Sequence, residues 1–515
     1  MSFASNSSTK INHVHLYLPI TAKMGIGFWY ILGCVLLILI IKYHWSRRRI
    51  YQVANLLQGP PTVPIFGNAL LFRCKEEDIF GTITKVIDTY PSPMRLWLGP
   101  KLVVVVKTAS HIEKVLTSPS AAYKDDIYKC LTVFNGDSLF TSNGVTWKKQ
   151  KRLVTPFLGS RYMDAYLRVI SRCCDTLMEK IEEVADGRLI NVDYYLYRYY
   201  NDVVNETLTG YNPGAQHGKI DFFISLCHEA YILLHSRMTK AWLHPDFIFK
   251  RSNSGRRQTY ISEIFRKFLH QNIKLANGNN NNGEGFKSIY KRVSEEKEKH
   301  PQLYGDQSVM DHIATLYSAA EDTTTTICSY LLVLLGMHPT VQEKVMEEMR
   351  DVVGTVVENI TYKDMCKLYY LGMCIKETMR IFPIAPYILR KLSDDLEIDN
   401  TTMPKGTSIF LSLYSVQKSS EHWEKPNEFY PEHFLPETVT NRHPYAFLPF
   451  SSGVHSCPGQ LFAVCAIKAV AISILSRFVV EADGTLQDIK IKADISVRSI
   501  NGYKLRLRKR FGSFS

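Results

Sequence analysis

The feature that most constrains this chain is a single cysteine, Cys457, set between two glycines and followed by a long apolar segment. The loop 450–459 is rich in turn-forming residues, and the segment 461–470 has the small and apolar residues of a buried helix. A cysteine just before a helix gains from the helix dipole, which favours the thiolate. Gly453 and Gly459 let the backbone approach a flat ligand closely. The loop alone leaves two interpretations at about even weight: a thiolate ligand of haem iron or a buried structural cysteine.

Composition and charge narrow the class of protein. The chain has 515 residues, of which 45% are hydrophobic, and this suffices for a sizeable core. Its 11 cysteines show no C-x-x-C spacing, so neither a zinc site nor a disulfide framework is indicated and a reducing compartment is expected. The formal net charge of +13 favours an anionic membrane surface or an acidic protein partner. No basic-aromatic motif of a nucleic-acid reader is present, so no nucleic-acid partner is expected.

An uncharged stretch near the N-terminus predicts a transmembrane anchor. Residues 24–41 carry no charged side chain and lie between Lys23 and Lys42. As a helix they would span roughly 27 Å, which is close to the thickness of an endoplasmic-reticulum bilayer. The three arginines at 47–49 then place the following chain in the cytosol by the positive-inside rule. We therefore expect a single-pass protein of the endoplasmic-reticulum membrane, with a short lumenal segment at 1–23 and a cytosolic catalytic domain.

The remaining chain is predicted to be mainly α-helical, with small β-sheets (α+β). Residues 42–68 form a basic and proline-rich linker, and 69–515 form one catalytic domain without internal repeats. From about 110 to 380 the apolar pattern is mainly helical. Runs of β-branched and apolar residues predict strands at 94–107, around 386–412 and near 490–508.

Two local features are predicted to lie at the surface. The asparagine- and glycine-rich segment 277–283 is a flexible insertion. Asn6 begins an N-x-S sequence, so it is a candidate glycan site if the N-terminus is lumenal.

An acid followed by a threonine, Asp322 and Thr323, lies inside a helix predicted over 308–338. Both residue types disfavour helix interiors, so their position there needs an explanation. A threonine can bond back to a carbonyl one turn earlier, and the alanines before it can let the helix open over a ligand. The alternative is a solvent-facing acid in a threonine-rich helix, and the two interpretations stand at about even odds.

Three further segments carry recognisable spacing. Glu377 and Arg380 are three apart on one helix face, which permits an ion pair, and Pro383 follows to end that helix. A tryptophan- and proline-rich segment lies at 423–434, and a basic segment with one tryptophan lies at 147–152. None of these patterns is specific by itself.

Taken together and in this order, the segments resemble the cytochrome P450 family from about residue 59 to the C-terminus. The loop 450–459 resembles the family's signature F-x-x-G-x-x-x-C-x-G at every fixed position. The resemblance implies the cytochrome P450 fold behind one N-terminal transmembrane helix. It also implies haem b as cofactor, with Cys457 as the axial thiolate ligand of the iron.

The resemblance also implies roles for individual residues. The catalytic pair would be Thr323 and Asp322, which would organise water and deliver protons to iron-bound dioxygen. A buried structural network would join Glu377, Arg380 and His433. The residues that would bind the cofactor are Trp147, Lys151, Arg390, Phe450, Gly453, His455, Cys457 and Gly459.

Three positions depart from the usual family pattern. Lys151 and His433 stand where the family usually has arginine, so the bidentate guanidinium fork is absent at both. Ala320 stands where the family usually has glycine. These departures put the rigidity of the network and the retention of haem in question.

Segment 441–450 and His338-Pro339 look most like the fourth clan of the family, which includes many insect enzymes. Substrates in that clan are fatty acids, hormones, pheromones and xenobiotics. Some members tether the haem through a glutamate, but this chain has Ala319 at that position, so no ester link is expected. The resemblance places the substrate pocket around Leu131, Phe134, Tyr317, Ala319 and residues 384–388.

The function predicted from these features is a haem-thiolate monooxygenase acting on a small apolar substrate. Electrons would come from NADPH, indirectly, through NADPH–cytochrome P450 reductase, and cytochrome b5 is a further candidate partner. A haem-thiolate isomerase or dehydratase is one alternative, although Thr323 and Asp322 argue against it. A non-catalytic haem- or lipid-binding relative is the other, and only Lys151, His433 and Ala320 support it.

Overall fold

The computed structural model describes residues 20–278, 286–301, 306–354 and 360–510. The chain divides into two compact units, Met1–Asn55 and Leu56–Ser515. The candidate glycan site at Asn6 lies outside the described residues, and so does most of the predicted insertion at 277–283.

The helices account for most of the described chain. They are α1 (Ile20–Ser46), α2 (Arg48–Leu56), α3 (Glu76–Thr89), α4 (Ala109–Thr117), α5 (Thr132–Asn135), α6 (Gly144–Val154), α7 (Met163–Glu182), α8 (Asp193–Thr209), α9 (Asp221–Thr239), α10 (Asp246–Arg251), α11 (Asn253–Gly278), α12 (Ile289–Lys299), α13 (Asp306–Met337), α14 (Pro339–Val353), α15 (Tyr362–Lys367), α16 (Tyr369–Ile381), α17 (Leu413–Gln417), α18 (Pro436–Thr440) and α19 (Gln460–Arg477).

The strands are short and form small sheets. They are β1 (Met94–Leu98), β2 (Lys101–Val106), β3 (Tyr123–Lys124), β4 (Ile190–Asn191), β5 (Tyr387–Lys391), β6 (Leu396–Ile398), β7 (Thr401–Met403), β8 (Ser408–Ser412), β9 (Phe478–Glu481), β10 (Ile491–Ala493), β11 (Val497–Ser499) and β12 (Lys504–Lys509). The largest sheet has the order β1-β2-β8-β5-β3, with β2 and β8 parallel and the other pairs antiparallel. The predicted class, mainly α with small β-sheets, is confirmed, and strands form in all three predicted regions.

Helix α13 runs through the main hydrophobic core. It packs against α8, α16, α19 and β9, and its residues from Ile327 to Leu335 are all buried and, apart from Ser329, mainly apolar. A helix that is apolar all round is stable in water only when neighbours cover it completely. Pro339 then begins α14, and the two helix axes differ by 110° because proline cannot continue the hydrogen-bond ladder of α13.

Two of the described helices are long and apolar enough to cross a membrane, by length and composition alone. Helix α19 is one of them, but 67% of its apolar window is buried inside the protein, so core packing accounts for its composition. The other is residues Phe28–Ser46 of α1, whose apolar side chains are exposed. This helix is longer than the predicted segment 24–41, since it continues to Ser46, and its role as a membrane anchor stays a prediction.

The last turn of α13 requires a glycine. A Cβ atom at Gly336 would lie 2.8 Å from the backbone nitrogen of Ala482 and 3.0 Å from its Cβ. We expect Gly336→Ala to lower the free energy of unfolding by about 1–3 kcal/mol, the usual size of overpacking. Thermal and urea unfolding measure the change.

Gly81 is the matched control because it is also helical and a Cβ there meets nothing within 4 Å. Gly81→Ala is expected to raise stability by up to about 1 kcal/mol through helix propensity. Equal effects of the two substitutions would show that the contact with Ala482 is not limiting.

Candidate active site

The loop before α19 holds Cys457 next to a helix N-terminus. The backbone N–H of Cys457 donates to the carbonyl of Phe450 over 2.9 Å, which closes the loop. Gly459 follows and is the residue before the first turn of α19. A Cβ atom at Gly459 would lie 3.9 Å from the sulfur of Cys457, so the backbone passes close to the thiol. The sequence-predicted arrangement of cysteine, glycine and helix is therefore present.

The same loop contains two residues with positive φ. Gly453 has φ +72°, and a Cβ atom there would lie 2.8 Å from the carbonyl oxygen of Leu116. Ser451 also has a positive φ, +57°, although it is not a glycine. Such a conformation costs about 1–3 kcal/mol and persists only where the surrounding structure enforces it. The loop is thus held in one shape at an energetic cost, as binding loops are.

The thiol of Cys457 is exposed, although protein atoms also pack around the sulfur. This partial burial raises the pKa of Cys457, and the backbone N–H of Gly459 lowers it in part. The protein alone therefore does not hold Cys457 as a thiolate. A metal ion would have to supply the remaining stabilisation, which is how thiolate ligation works elsewhere.

Three cations converge beside this loop, and we call Lys124, Lys151 and Arg390 the cationic cluster. Nζ of Lys151 donates to the carbonyl of Val454 over 2.7 Å, and Nζ of Lys124 donates to the carbonyl of Ser142 over 2.6 Å. Both ammonium groups lie over the Trp147 ring, at 5.1 and 5.6 Å. Among the described residues, no carboxylate pairs with any member of the cluster. Cationic side chains that have no carboxylate partner are suited to an anionic ligand.

The cationic cluster acts on the titration of its neighbours. Burial, followed by the charge of Arg390, lowers the pKa of Lys124 to about 7. Burial also lowers the pKa of His455 to about 4, and the cluster contributes to that shift. His455 is therefore neutral near pH 7. Its Nε2 donates to the carbonyl of Ala122 over 2.7 Å, and its ring lies edge-on to Trp147 at 4.2 Å.

Lys124 and Tyr128 were not found by sequence reasoning. Lys124 lies on the edge strand β3, which pairs with β5 and so stands directly opposite Arg390. The Tyr128 hydroxyl accepts the backbone N–H of Leu389 over 3.2 Å. Neither residue belongs to a segment with recognisable spacing, because strand pairing across more than 250 residues brings them to the site.

A second group of predicted residues meets beneath the site. Arg380 donates from Nε and Nη2 to the two carboxylate oxygens of Glu377, at 2.8 and 2.7 Å. Its remaining N–H groups donate to the carbonyls of Gln417, Pro426 and Glu428. Both charged side chains are fully buried, and every donor of the guanidinium has a partner. The two predicted residues thus form a buried ion pair, and its structural role stays a prediction.

His433 joins this pair as expected, and its Nδ1 lies 3.2 Å from a carboxylate oxygen of Glu377. Sequence reasoning did not find that a nearby arginine supplies a further guanidinium. Nη2 of Arg442 donates to the carbonyl of His433 over 2.6 Å, and the guanidinium stacks over the Trp423 ring at 3.8 Å. A cation therefore remains close to the network although position 433 carries histidine.

On α13, Thr323 faces the candidate site and is held in a regular helix. Its hydroxyl donates to the carbonyl of Ala319 over 2.7 Å, so an oxygen lone pair stays free to accept. Ala319 and Thr323 are one turn apart and both line the large cavity described below.

Asp322 has partners that the sequence did not indicate. Its carboxylate accepts hydrogen bonds from Tyr197 on α8, over 2.8 Å, and from Ser496, over 2.6 Å. Arg498 on β11 forms an ion pair with it. The predicted pair of Asp322 and Thr323 is thus adjacent in the structure, but the carboxylate is engaged with other elements.

Glu321, which precedes Asp322, is also buried, and no role was predicted for it from the sequence. It accepts hydrogen bonds from Asn201 over 3.1 Å and from Tyr231 over 3.0 Å. Burial, and then the charge of Asp322, raise the pKa of Glu321 to about 8. Glu321 is therefore mostly protonated at pH 7, and the ion pair with Arg498 is formed by Asp322.

A cavity of about 730 Å³ lies between α13, α9, the largest sheet and the cysteine loop. Most of its wall is apolar, and the polar side chains gather near the cationic cluster and near Asp322. The predicted wall residues found there are Leu131, Phe134, Ala319, Ile384, Ala385, Pro386, Tyr387 and Ile388. The assignment of Tyr317 was wrong. That residue lies two positions before Ala319, on the other side of the helix, where its hydroxyl donates to Asn201 in the core.

Haem fits these residues. The cavity is bounded by Ser451 and His455 of the cysteine loop and by Lys124 and Arg390 of the cationic cluster. Anionic propionates placed there would favour the charged form of these side chains. Of the predicted contact residues, Arg390 and His455 line the cavity. Trp147 packs against His455, and Lys151 lies over the Trp147 ring. Lys124 joins them there.

Comparison with known proteins gives the class. The family model for cytochrome P450 matches residues 57–507. The chain is 28% identical over 482 residues to cytochrome P450 4V2 of Mus musculus, covering 90% of this chain and 91% of the relative. It is 27% identical over 517 residues to cytochrome P450 4c3 of Drosophila melanogaster, covering 96% and 95%. Probable cytochrome P450 4aa1 of Drosophila melanogaster is 28% identical over 461 residues, covering 88% and 89%.

The chain belongs to the cytochrome P450 family. It is a cytochrome P450 monooxygenase, and the cofactor of its family is haem iron with a thiolate ligand. The relatives carry the names of the fourth P450 family and include insect proteins, as the sequence predicted.

The buried Glu321 makes stability depend on pH. The pKa of an unfolded glutamate is about 4.3, so the folded state binds more protons between that value and about 8. Stability contributed by this group therefore falls as pH rises through this interval. Glutamine at this position stays neutral at every pH. We therefore expect the Tm of Glu321→Gln, measured relative to the unmodified protein, to be about 2 °C higher at about pH 8.5 than at about pH 5.5.

The exposed Glu424 is the control for this measurement. Glu424→Gln should change Tm by the same amount at both pH values. A Glu321→Gln difference that does not grow with pH would contradict the assignment of a protonated Glu321.

Proposed function

We propose that this chain is a microsomal monooxygenase that inserts one oxygen atom of O₂ into a small apolar substrate. The observation that carries the proposal is the cavity, whose apolar wall joins Thr323 on α13 to the cationic cluster and the cysteine loop. An apolar wall with few polar groups favours substrates such as fatty acids, terpenoid hormones or apolar xenobiotics.

Each residue has a role in this proposal. Cys457 would hold the haem iron through its sulfur, and the N–H of Gly459 would stabilise the charge of the thiolate. Trp147, Lys124, Lys151, Arg390 and His455 bind the haem propionates. The bound haem supplies electron transfer and activation of dioxygen. Thr323 lines the cavity and its hydroxyl donates to the carbonyl of Ala319, so its oxygen can accept a hydrogen bond from water at the cavity wall.

Glu377, Arg380 and His433 support the site without touching it. Gln417 accepts from Arg380 through its carbonyl and from the backbone N–H of Leu448 through its side chain. Leu448 lies two residues before Phe450, whose carbonyl closes the cysteine loop. Hydrogen bonds of Gln417 therefore connect the ion pair to the segment that leads into the cysteine loop.

Electrons would come from NADPH through the membrane-bound reductase, and cytochrome b5 is a second candidate donor. Basic side chains on the outer face of α6, including Lys148 and Arg152, are exposed or partly exposed. They suit an acidic redox partner through electrostatic steering. The exposed apolar helix at Phe28–Ser46 supports anchorage in the endoplasmic-reticulum membrane with the catalytic domain cytosolic.

The thiolate assignment is tested by the carbon-monoxide difference spectrum of the reduced protein. We expect the long-wavelength Soret band of thiolate-ligated haem, and its loss in Cys457→Ala. Cys465→Ala is the matched control because Cys465 is buried on the adjoining helix α19, and the band should persist there. A band that survives in Cys457→Ala, or that is missing from the unmodified protein, would overturn the assignment.

The propionate assignment of Lys124 is tested by haem retention. Removing one charge-assisted contact costs about 1–3 kcal/mol, so Lys124→Met should lose haem about tenfold faster to an excess of apomyoglobin. Lys129→Met, on the same segment but exposed and paired with Asp126, should retain haem normally. Equal rates of haem loss for the two variants would show that Lys124 does not bind a haem propionate.

A further inference from the structure

The hairpin of β10 and β11 touches both the cavity and α13. Its strands pair antiparallel from Ile491–Ser499 to Ala493–Val497. Residues Ala493, Asp494, Ile495 and Ser496, at the turn, line the cavity. Ser496 and Arg498, in the same hairpin, reach the carboxylate of Asp322. One short segment therefore forms part of the ligand cavity and holds the acid of the acid–threonine pair.

Three side chains donate to the carboxylate of Asp322. Tyr197 and Arg498 share Oδ1, and Ser496 donates to Oδ2 over 2.6 Å. The side chains of Asp322 and Arg498 are 3% and 14% exposed, so the pair is shielded from water. Removing only one partner of such a buried ion pair strongly destabilises a protein, because the other charge stays buried without compensation.

The charges around Arg498 make Asp322 its main partner. Glu321 is close but mostly protonated at pH 7, and burial likewise raises the pKa of Asp193. Asp494 is paired with Lys492 at 3.3 Å. His228, on α9, is neutral because burial and then Arg498 lower its pKa to about 4. Burial would lower the pKa of Arg498 too, but Asp322 outweighs it together with smaller contributions, and the net shift is upward.

We propose that Arg498 is a positioning residue, and that Asp322 anchors the cavity wall at 493–496 to α13 through it. Asp322 and Thr323 both border the cavity. In this arrangement the Thr323 hydroxyl bonds within its own helix, whereas Asp322 holds the hairpin and sets the shape of the wall. The inference rests on the proposed function only in naming the cavity as the substrate site. Its test uses binding and hydrogen exchange instead of turnover.

The test is hydrogen–deuterium exchange of the full-length holoprotein, together with the binding of two imidazoles. 1-Dodecylimidazole must fill the apolar cavity, whereas imidazole itself need not reach the hairpin. We expect Arg498→Met to speed hydrogen exchange in residues 491–499 about fivefold and to weaken the binding of 1-dodecylimidazole about fivefold. The affinity for imidazole itself should not change. A fivefold change corresponds to about 1 kcal/mol.

Asp322→Asn should produce the same two changes, and the double variant should be no worse than either single one, because both substitutions remove one interaction. Thr323→Ala should leave exchange in 491–499 unchanged. Arg506→Met is the matched control, since Arg506 pairs with Asp483 over 2.6 Å on the neighbouring strand β12. Normal hairpin exchange and normal 1-dodecylimidazole affinity in both Asp322→Asn and Arg498→Met would overturn the proposal.

If Arg498→Met fails to fold, Arg498→Lys and Ser496→Ala replace it. Lysine keeps the charge and should restore most of the protection, while Ser496→Ala should loosen the hairpin by a smaller factor. The same protection in Ser496→Ala and in the unmodified protein would then count against the anchor. The carbon-monoxide spectrum separates the two claims, because a protein without the thiolate band would still report the anchor through exchange.

Discussion

The buried ion pair of Glu377 and Arg380 is the interaction on which the rest of the site depends. All donors of Arg380 are satisfied, two by the carboxylate and the others by carbonyls of the segment 417–428. Breaking such a pair strands a charge in the core and costs about 3–5 kcal/mol. Because Gln417 passes the constraint to Leu448 and so to the cysteine loop, the position of Cys457 depends on a pair of charges that never meets the ligand.

Nearby contacts compensate for the three departures from the usual family pattern. Lys151 keeps a positive charge at the propionate edge and gains a backbone contact at Val454. Arg442 brings a guanidinium to the carbonyl of His433. Ala320 leaves α13 helical, and both Thr323 and Thr324 bond back to carbonyls one turn earlier. These contacts keep the charge and shape where the usual residue is missing. They therefore weaken the main argument for the interpretation of this chain as a non-catalytic haem- or lipid-binding relative.

Helix α13 combines two tasks that conflict. Its apolar second half must be buried for stability, and its middle must carry acids beside the cavity. Burial raises the pKa of Glu321 to about 8 and so removes one of the two charges. Arg498 compensates the other. The carboxylate of Asp322 is thus paired with a guanidinium in these low-dielectric surroundings, where an isolated charge would be costly.

The sequence by itself determined the fold class, the apolar N-terminal helix and the cysteine loop, because each depends on residues that are neighbours along the chain. The spacing of Glu377 and Arg380 could be read for the same reason. Only the tertiary structure brought Lys124 beside Arg390, engaged Asp322 with Arg498 and turned Tyr317 into the core. These contacts join segments far apart in sequence, and no local pattern encodes them. They follow from strand pairing and from which face of α13 its neighbours cover.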